Sequence, residues 1–437
     1  MMAFCLRKIW PGLLFLLAGG TFGTVFPVQA QEGGRTQEGW LPGLVQVKAE
    51  REPEIRAGTG TTSRADTALV GISGGDTAIG DVNNDGHPDL LITGNASPTR
   101  SRPRTMLYLN GKGAAFREVE SALPTVMGGA VAVGDIGSDG HLDLLLTGGR
   151  PEGRIATLYL GDGHGHFSEA GAELTGVAGG SVSIGDVDRD GHLDLLITGR
   201  RRSRPNRTAG SPTATLYLGD GEGEFAEAAA GLGGVARSAS AVGDVNGDGT
   251  PDLLIAGTDT SGAPSTTLYL ANGSGGFTAA NAGLTGLTEG SASIGDLNGD
   301  GHADLLLTGR SVGERPSTEL YLGSAEGTFA RAEAGLPDVV AGATALGDVN
   351  EDGTTDLLIT GEGPSGASIT RIYFGGERLP LSQAGASLAG VSFSTASMAD
   401  MNGDGHLDLL ITGEGRSGRP TTRLYIGNGN GDFSVRR

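Results

Sequence analysis

The chain has 437 residues, of which 80 are glycine, yet no Gly-X-Y period runs through it, so a collagen-like rod is excluded. Aromatic residues make up 5% and hydrophobic residues 37%, which disfavours one thick helical core and suits a thin core shared among many short strands. A formal net charge of −20 argues against nucleic acid and anionic membrane as partners.

The N-terminus has the three parts of a secretory signal. Arg7 and Lys8 form a positive region, Ile9 to Phe26 an apolar stretch, and Val28-Gln29-Ala30 a small-residue cleavage site before Gln31. The competing reading is a membrane anchor. Against it, Pro11 and several glycines weaken a spanning helix, and no charged stop-transfer flank follows. The only cysteine, Cys5, lies ahead of the apolar stretch, so the mature chain is expected to have no disulfide and to need another source of stability, such as metal.

Residues 31–66 read as a connector. Leu44 to Lys48 forms a candidate closing strand, and residues 51–66 are polar and flexible in composition. This strand is a candidate to close the fold by pairing at the C-terminal end of the chain.

Residues 67–437 repeat themselves. Each unit carries Gly-Asp-(Val/Ile/Leu)-x-x-Asp-Gly-x-x-Asp-Leu-Leu, the last beginning Ala399-Asp400-Met401. The leading aspartates are Asp81, Asp135, Asp186, Asp244, Asp296, Asp348 and Asp400, and one tyrosine per unit keeps the same beat: Tyr108, Tyr159, Tyr217, Tyr269, Tyr321, Tyr373 and Tyr425. The apolar pattern predicts four strands per unit, placed in the fifth at Ser291 to Leu297, Ala303 to Thr308, Glu319 to Leu322 and Phe329 to Ala334. A glycine-rich hairpin turn, best seen at Gly161 to Phe167, joins the last two. Such units predict an all-β, seven-bladed β-propeller of four-stranded antiparallel blades, with an open β-solenoid as the structural alternative.

The nine residues that open each second strand carry the chemistry. Oxygen side chains at positions 1, 3 and 5 of a tight loop converge on one point, a glycine at position 6 makes the turn, and position 7 offers its backbone carbonyl. A carboxylate at position 9 closes the shell, as a hard dication with six to eight oxygen ligands requires. The candidate metal ligands are Asp81, Asn83, Asp85 and Asp89 in the first unit, and Asp135, Asp139 and Asp143 in the second. Asp186, Asp188, Asp190 and Asp194 follow in the third, then Asp244, Asn246, Asp248 and Asp252, and Asp296, Asn298, Asp300 and Asp304. Asp348, Asn350, Asp352 and Asp356 serve the sixth unit, and Asp400, Asn402, Asp404 and Asp408 the last. Position 3 of the second unit is Gly137, so that site should be the weakest. An EF-hand shares the first half of this pattern but needs Glu at position 12 and flanking helices; position 12 here is Ile or Leu and the flanks are strands. Seven bound dications would leave a net charge of roughly −6.

These residues carry a resemblance. The repeats resemble the FG-GAP and VCBS-type repeats of integrin α-subunit propellers and of many bacterial exported proteins, over roughly residues 65–437. The resemblance implies calcium in the loop between the first and second strands of each blade, on one face, with the partner commonly met on the other. The chain departs from integrins in keeping the calcium motif in every unit.

Other candidates have plainer readings. Five of the seven histidines occupy position 7 (His87, His141, His192, His302, His406), where two units have threonine, so an imidazole is not required. The tyrosines are expected to pack between blades. No carboxylate pair outside the loops suggests acid–base chemistry, and no nucleophile motif appears. The loops between second and third strands are unevenly basic. Arg100, Arg102 and Arg104 in the first unit, and Arg200, Arg201, Arg202 and Arg204 in an insertion of the third, form a candidate rim for an anionic glycan or protein, or else only solubilise the chain. Asn95, Asn206 and Asn272 begin sequons that matter only in a eukaryotic host.

The expectation is therefore a secreted, periplasmic or cell-surface calcium propeller that binds a glycan or protein, with no catalytic residues. The rival is a polysaccharide lyase or glycosidase on the same scaffold, and a third reading is a spacer in a surface complex.

Overall fold

The computed structural model of the protein describes residues 15–18, 24–27, 68–97, 102–201 and 210–436. Among the described residues every regular element is a strand and no helix occurs. Phe15–Ala18 pairs with Thr24–Pro27 as a short antiparallel hairpin within the signal-like segment. The predicted strand Leu44 to Lys48 lies outside the described residues.

Each repeat folds as antiparallel strands laid side by side in chain order. In the fifth unit they are Ala292–Gly295, Asp304–Arg310, Pro316–Leu322 and Ala330–Ala332. The third strand starts earlier than the apolar pattern suggested, because Pro316 pairs with Arg310 at the far end of the second strand. Three units stand as separate four-stranded sheets. The second and third merge where Val177 pairs with Ile155, and the sixth and seventh where Val391 pairs with Ile369.

The second strand is the heart of each unit. Its Asp-Leu-Leu-(Ile/Leu) run is buried along its length, as in Asp304–Arg310, because sheets cover both of its faces. The fourth strand is short and exposed, as in Phe433–Val435, which limits edge-to-edge pairing with other chains.

The core lies between units rather than within them. Val187, Leu196 and Leu216 of the third unit pack against Val242, Leu253, Ile255 and Tyr269 of the fourth. Each fully buried aliphatic side chain contributes about 1.5–3 kcal/mol to such a seam. The tyrosines sit in these seams as expected, all buried. Five of their hydroxyls also accept a backbone N–H from the segment that enters the unit: Val70 on Tyr108, Thr175 on Tyr217, Gly233 on Tyr269, Thr285 on Tyr321 and Ala389 on Tyr425.

The seams run from each unit to the next and from the last back to the first. Ile72, Ile79 and Leu90 share one cluster with Met401, Leu410 and Leu424. Gly413 N–H donates to the Ile72 carbonyl at 2.9 Å, and Asn110 Nδ2 donates to the Met401 carbonyl at 2.8 Å. The last unit forms its fourth strand from its own C-terminal residues, Phe433–Val435 paired with Tyr425–Gly427. The first and last units are thus joined by packing and hydrogen bonds.

A collar of left-handed residues surrounds the end of the first strands away from the Asp loops. Gly74, Gly128, Gly179, Arg237, Glu289, Ala341 and Phe393, one per unit, all have φ between 47° and 60°. Each stands seven positions before its unit's leading aspartate. Five of them are linked in succession through their backbones: Gly179 N–H to Gly128 O at 2.9 Å, Arg237 to Gly179 at 2.7 Å, Glu289 to Arg237 at 3.1 Å and Ala341 to Glu289 at 2.8 Å.

Candidate metal centres

The Asp loops connect first to second strands at one end of every sheet, where Gly295 pairs with Asp304. The loops between second and third strands leave from the other end, where Arg310 pairs with Pro316. Acidic loops and arginine-bearing loops therefore occupy opposite faces.

Within each acidic loop, backbone amides preset the carboxylates. Oδ1 of Asp296 accepts the Asp300 N–H at 3.1 Å and Oδ2 accepts the Gly301 N–H at 2.8 Å. The same two bonds form on Asp81, Asp135, Asp186, Asp244, Asp348 and Asp400. Asn298 Oδ1 takes a second bond from the Asp300 N–H at 2.9 Å, as do Asn83, Asp188, Asn246, Asn350 and Asn402 in their loops. Asp300 Oδ1 in turn accepts the His302 N–H at 2.9 Å. The glycine at position 6 has φ between 83° and 93° in every loop, a turn that side-chain-bearing residues rarely make.

Position 9 holds more than a candidate ligand. Asp304 is buried where the second strand begins; its Oδ2 accepts the Leu297 N–H and its Oδ1 the Gly323 N–H, both at 2.9 Å. Asp89, Asp194, Asp252, Asp356 and Asp408 make the equivalent pair of bonds, and Asp143 accepts the N–H groups of Gly137, one position later, and Gly161. Each of these carboxylates staples the start of its loop to the end of the third strand. The recurrence of Asp at position 9 thus has a structural reason besides a metal, which the sequence did not reveal.

Burial dominates the electrostatics of these staples. It pushes Asp89 and Asp194 up to about 7, and Asp252, Asp304, Asp356 and Asp408 up to about 6, with the neighbouring loop carboxylates adding to the shift. Asp143 moves the same way. Burial first, then the Asp190 charge, raises Asp188. By contrast the Thr250 N–H holds Asp248 below the usual carboxylate range, and the Thr354 hydroxyl holds Asp352 there.

In the third loop, carboxylate oxygens of Asp186, Asp188 and Asp194 lie within 4.8 Å of one another. The other loops place Asn, or in the second unit Gly137, where Asp188 stands. The second loop keeps both amide bonds to Asp135 but has no side chain at position 3, and Gly137 donates its N–H to Asp143 Oδ2 at 2.7 Å. The side chains at positions 1, 3, 5 and 9 of these loops all offer oxygens, the chemistry suited to a hard cation.

Position-7 histidines reach the preceding loop. His141 Nδ1 lies 2.9 Å from Asn84 Nδ2, and His406 Nδ1 lies 2.5 Å from Glu351 Oε1. The hairpin between third and fourth strands also covers the preceding loop: Gly165, Gly376 and Gly431 donate N–H to the carbonyls of Val82, Leu297 and Val349.

On the opposite face the arginines have divided roles. Arg104 pairs with Glu118 at 2.9 Å, Arg200 Nη1 donates to the Gly210 carbonyl at 3.0 Å, and Arg102 and Arg201 are exposed. Arg154 caps the Arg200 and Arg201 carbonyls. Arg237 and Arg310 converge on Glu289, at 2.6 and 3.1 Å. Arg100, Arg202 and Arg204 lie outside the described residues. One buried carboxylate had no sequence signal. Asp76, in the first strand of the first unit, accepts N–H bonds from Thr77 at 2.8 Å and from Val131 of the second unit at 3.0 Å, and burial pushes it up to about 7.

A family model described as an FG-GAP-like repeat matches residues 81–146, 138–197, 244–307 and 296–359, together more than half of the chain. No curated protein sequence matches significantly. Among solved structures, β-fructofuranosidase from Schwanniomyces occidentalis is similar at 9% identity and TM-score 0.33, over 85% of this chain and 91% of that one. The subtype N11 neuraminidase-like protein of A/flat-faced bat/Peru/033/2010 (H18N11) is similar at 13% identity and TM-score 0.27, over 70% of this chain and 88% of that one.

Proposed function

The chain belongs to the FG-GAP-like repeat family, and from that membership we propose that it is an exported, calcium-loaded, seven-bladed β-propeller that binds a glycan or protein partner without acting on it chemically. The observation that carries the metal is the preset acidic loop. Two backbone amides orient the leading carboxylate, and a second, third and fourth oxygen side chain follow at fixed spacing, as in Asp296, Asn298, Asp300 and Asp304. Three carboxylates gathered as in Asp186, Asp188 and Asp194 repel one another, and a dication would offset that repulsion.

In this reading the metals are structural. Calcium would supply charge to the side of each loop where the staple at position 9 is buried, and so couple the loop to the third strand. Extracellular sites of this kind bind at about 10⁻⁴–10⁻³ M, which suits a protein that residues 1–30 direct out of the cytoplasm. Binding would fall to the opposite face, where the loops differ from unit to unit while the acidic loops do not.

Thermal unfolding with calcium and with chelator tests this reading. Each filled site stabilises the chain according to how far calcium exceeds its dissociation constant, so several sites acting together predict a chelator-induced fall in Tm of tens of degrees. Equal transitions in calcium and chelator would overturn the metal. Mass spectrometry of exported protein is expected to place the new N-terminus at Gln31.

A further inference from the structure

The last unit breaks the sevenfold pattern at a cleft. Between the segment entering the unit (Leu388, Ala389, Gly390) and the loop joining its second and third strands lies a recess of about 620 Å³, in the size range of small-ligand sites. Arg416, Arg419 and Arg423 line it. Among the described residues, no carboxylate comes within ion-pairing distance of any of the three. Elsewhere on this face Arg104, Arg237 and Arg310 are paired with glutamates, while Arg102, Arg201 and Arg315 are exposed without an ion pair among the described residues and are not gathered with one another in one recess.

Counted back from the tyrosine of the third strand, the arginines stand nine, six and two positions before Tyr425. The fifth unit has Val312, Arg315 and Glu319 there, and the sixth has Pro364, Ala367 and Arg371. Only the last unit has arginine at all three. Three unpaired guanidiniums around one recess, in a chain of net charge −20, call for an anion of matching spread. Leu388 and Pro420 add apolar wall, and Ser417 and Thr421 add hydroxyls, a mixture suited to a sugar ring bearing acidic groups rather than to a bare ion.

We propose that this cleft is the ligand site of the protein and that it takes a short anionic oligosaccharide, carboxylated or sulfated. The proposal rests on the reading of the chain as a binding module and names the surface and the ligand class.

Calorimetric titration of the full chain in calcium tests it, using tetragalacturonate, its fully methyl-esterified form, a sulfated neutral tetrasaccharide and hexa-aspartate. At least one anionic saccharide is expected to bind, at least tenfold tighter than the ester. Combined Arg416→Ser, Arg419→Ser and Arg423→Ser should weaken that binding at least tenfold with Tm in calcium unchanged. Arg102→Ser with Arg104→Ser, on the first unit, should leave it within twofold. The tighter of the two anionic saccharides identifies the anion.

Equal affinity of the triple variant, equal affinity for the ester, tighter binding of hexa-aspartate, or no binding of either anionic saccharide would overturn the proposal. If the triple variant does not fold, Arg419→Ser and Arg423→Ser are measured singly, and unchanged affinity in both overturns it. Loss of binding only in the first-unit variant would discard the cleft and keep the binding module. Binding at the cleft with no calcium effect on Tm would keep the cleft and discard the metal.

Discussion

Thr77 Oγ1 lies 2.8 Å from Thr395 Oγ1, although 318 positions separate them in the chain. The contact joins the first strand of the first unit to the first strand of the last. Ser397 Oγ stands 3.2 Å from the same Thr77 hydroxyl. Three other seams use the same device: Ser181 with Ser240, Ser291 with Thr344 and Thr360 with Ser394. Thr77→Val keeps the shape and leaves both partner hydroxyls without this bond. A loss of about 1–3 kcal/mol is expected in urea denaturation. An unchanged midpoint would show that the seam stands on apolar packing alone.

The two carboxylates of one loop should behave differently. Asp304→Ala removes the acceptor of two backbone N–H groups, Leu297 and Gly323, as well as a candidate metal oxygen, and is expected to cost about 2–5 kcal/mol in chelator and more in calcium. Asp300 is exposed and bonded within its own loop, so Asp300→Ala should lower stability in calcium and change little in chelator. Denaturant curves in both conditions separate the staple from the candidate ligand. Identical profiles for the two variants would contradict the division.

The buried carboxylates also set a pH dependence. Their folded-state pKa values, about 7 for Asp76, Asp89 and Asp194 and about 6 for Asp252, Asp304, Asp356 and Asp408, stand above that of an unfolded aspartate near 3.9. Between those values the folded chain holds more protons than the unfolded one, so stability falls as pH rises. The contribution is fully present below about pH 4 and is lost as pH passes through 6 to 7. Chelated protein is therefore expected to melt higher at pH 5 than at pH 8. Calcium should reverse the order, because protons compete with it for the same oxygens. Melting curves at both pH values, with and without calcium, check the sign.

How much of this the sequence disclosed depends on the range of the interaction. The strands were legible because Asp-Leu-Leu-(Ile/Leu)-(Thr/Ala)-Gly is a local pattern, and Tyr269 marked the seam because one tyrosine recurs in every unit. The acidic loop was legible because Asp296 to Asp304 are neighbours in the chain. The Asp304 bond to Gly323, the Thr77 contact and the Asp76 bond to Val131 join distant segments, and no local signal announces them. Nor did the arginines disclose their use: Arg104 meets a partner in the fourth strand of its unit, and Arg154 spends its guanidinium on backbone carbonyls of the next. The collar was hidden for another reason. Only three of its seven residues are glycine, so nothing in Arg237, Glu289, Ala341 or Phe393 marks a left-handed position.

Phe393 offers a direct test of that collar. It has φ of 47° and is largely exposed, so its side chain gains little from packing while its backbone is strained. A left-handed conformation costs a non-glycine residue about 1–2 kcal/mol, and glycine gives back about 0.5–1 kcal/mol through its freer unfolded state. Phe393→Gly should therefore leave stability unchanged or raise it by about 1 kcal/mol, whereas Phe393→Val should lower it, since a β-branched residue tolerates this region least. The reverse order in thermal denaturation would remove the collar as a constraint of the fold.

The second loop allows a gain to be sought instead of a loss. Gly137 stands where the other loops have Asn or Asp, and its backbone is not in the left-handed region. A Cβ there would meet Asp143 Oδ2 at 3.4 Å and Leu160 Cδ2 at 3.6 Å, ordinary contacts that require nothing to move. The leading carboxylate, Asp135, already holds both of its amide bonds, so the loop is shaped before any side chain is added. Gly137→Asn should then supply the missing oxygen without disturbing the fold. In chelator the variant is expected to unfold with the wild type. In calcium it should bind one more ion, or the same number more tightly, and gain about 1–3 kcal/mol, the effect of a tenfold to hundredfold fall in one dissociation constant at saturating metal. Titration with a calcium indicator counts the sites. A gain that appears equally in chelator would assign the benefit to the loop's backbone and not to metal.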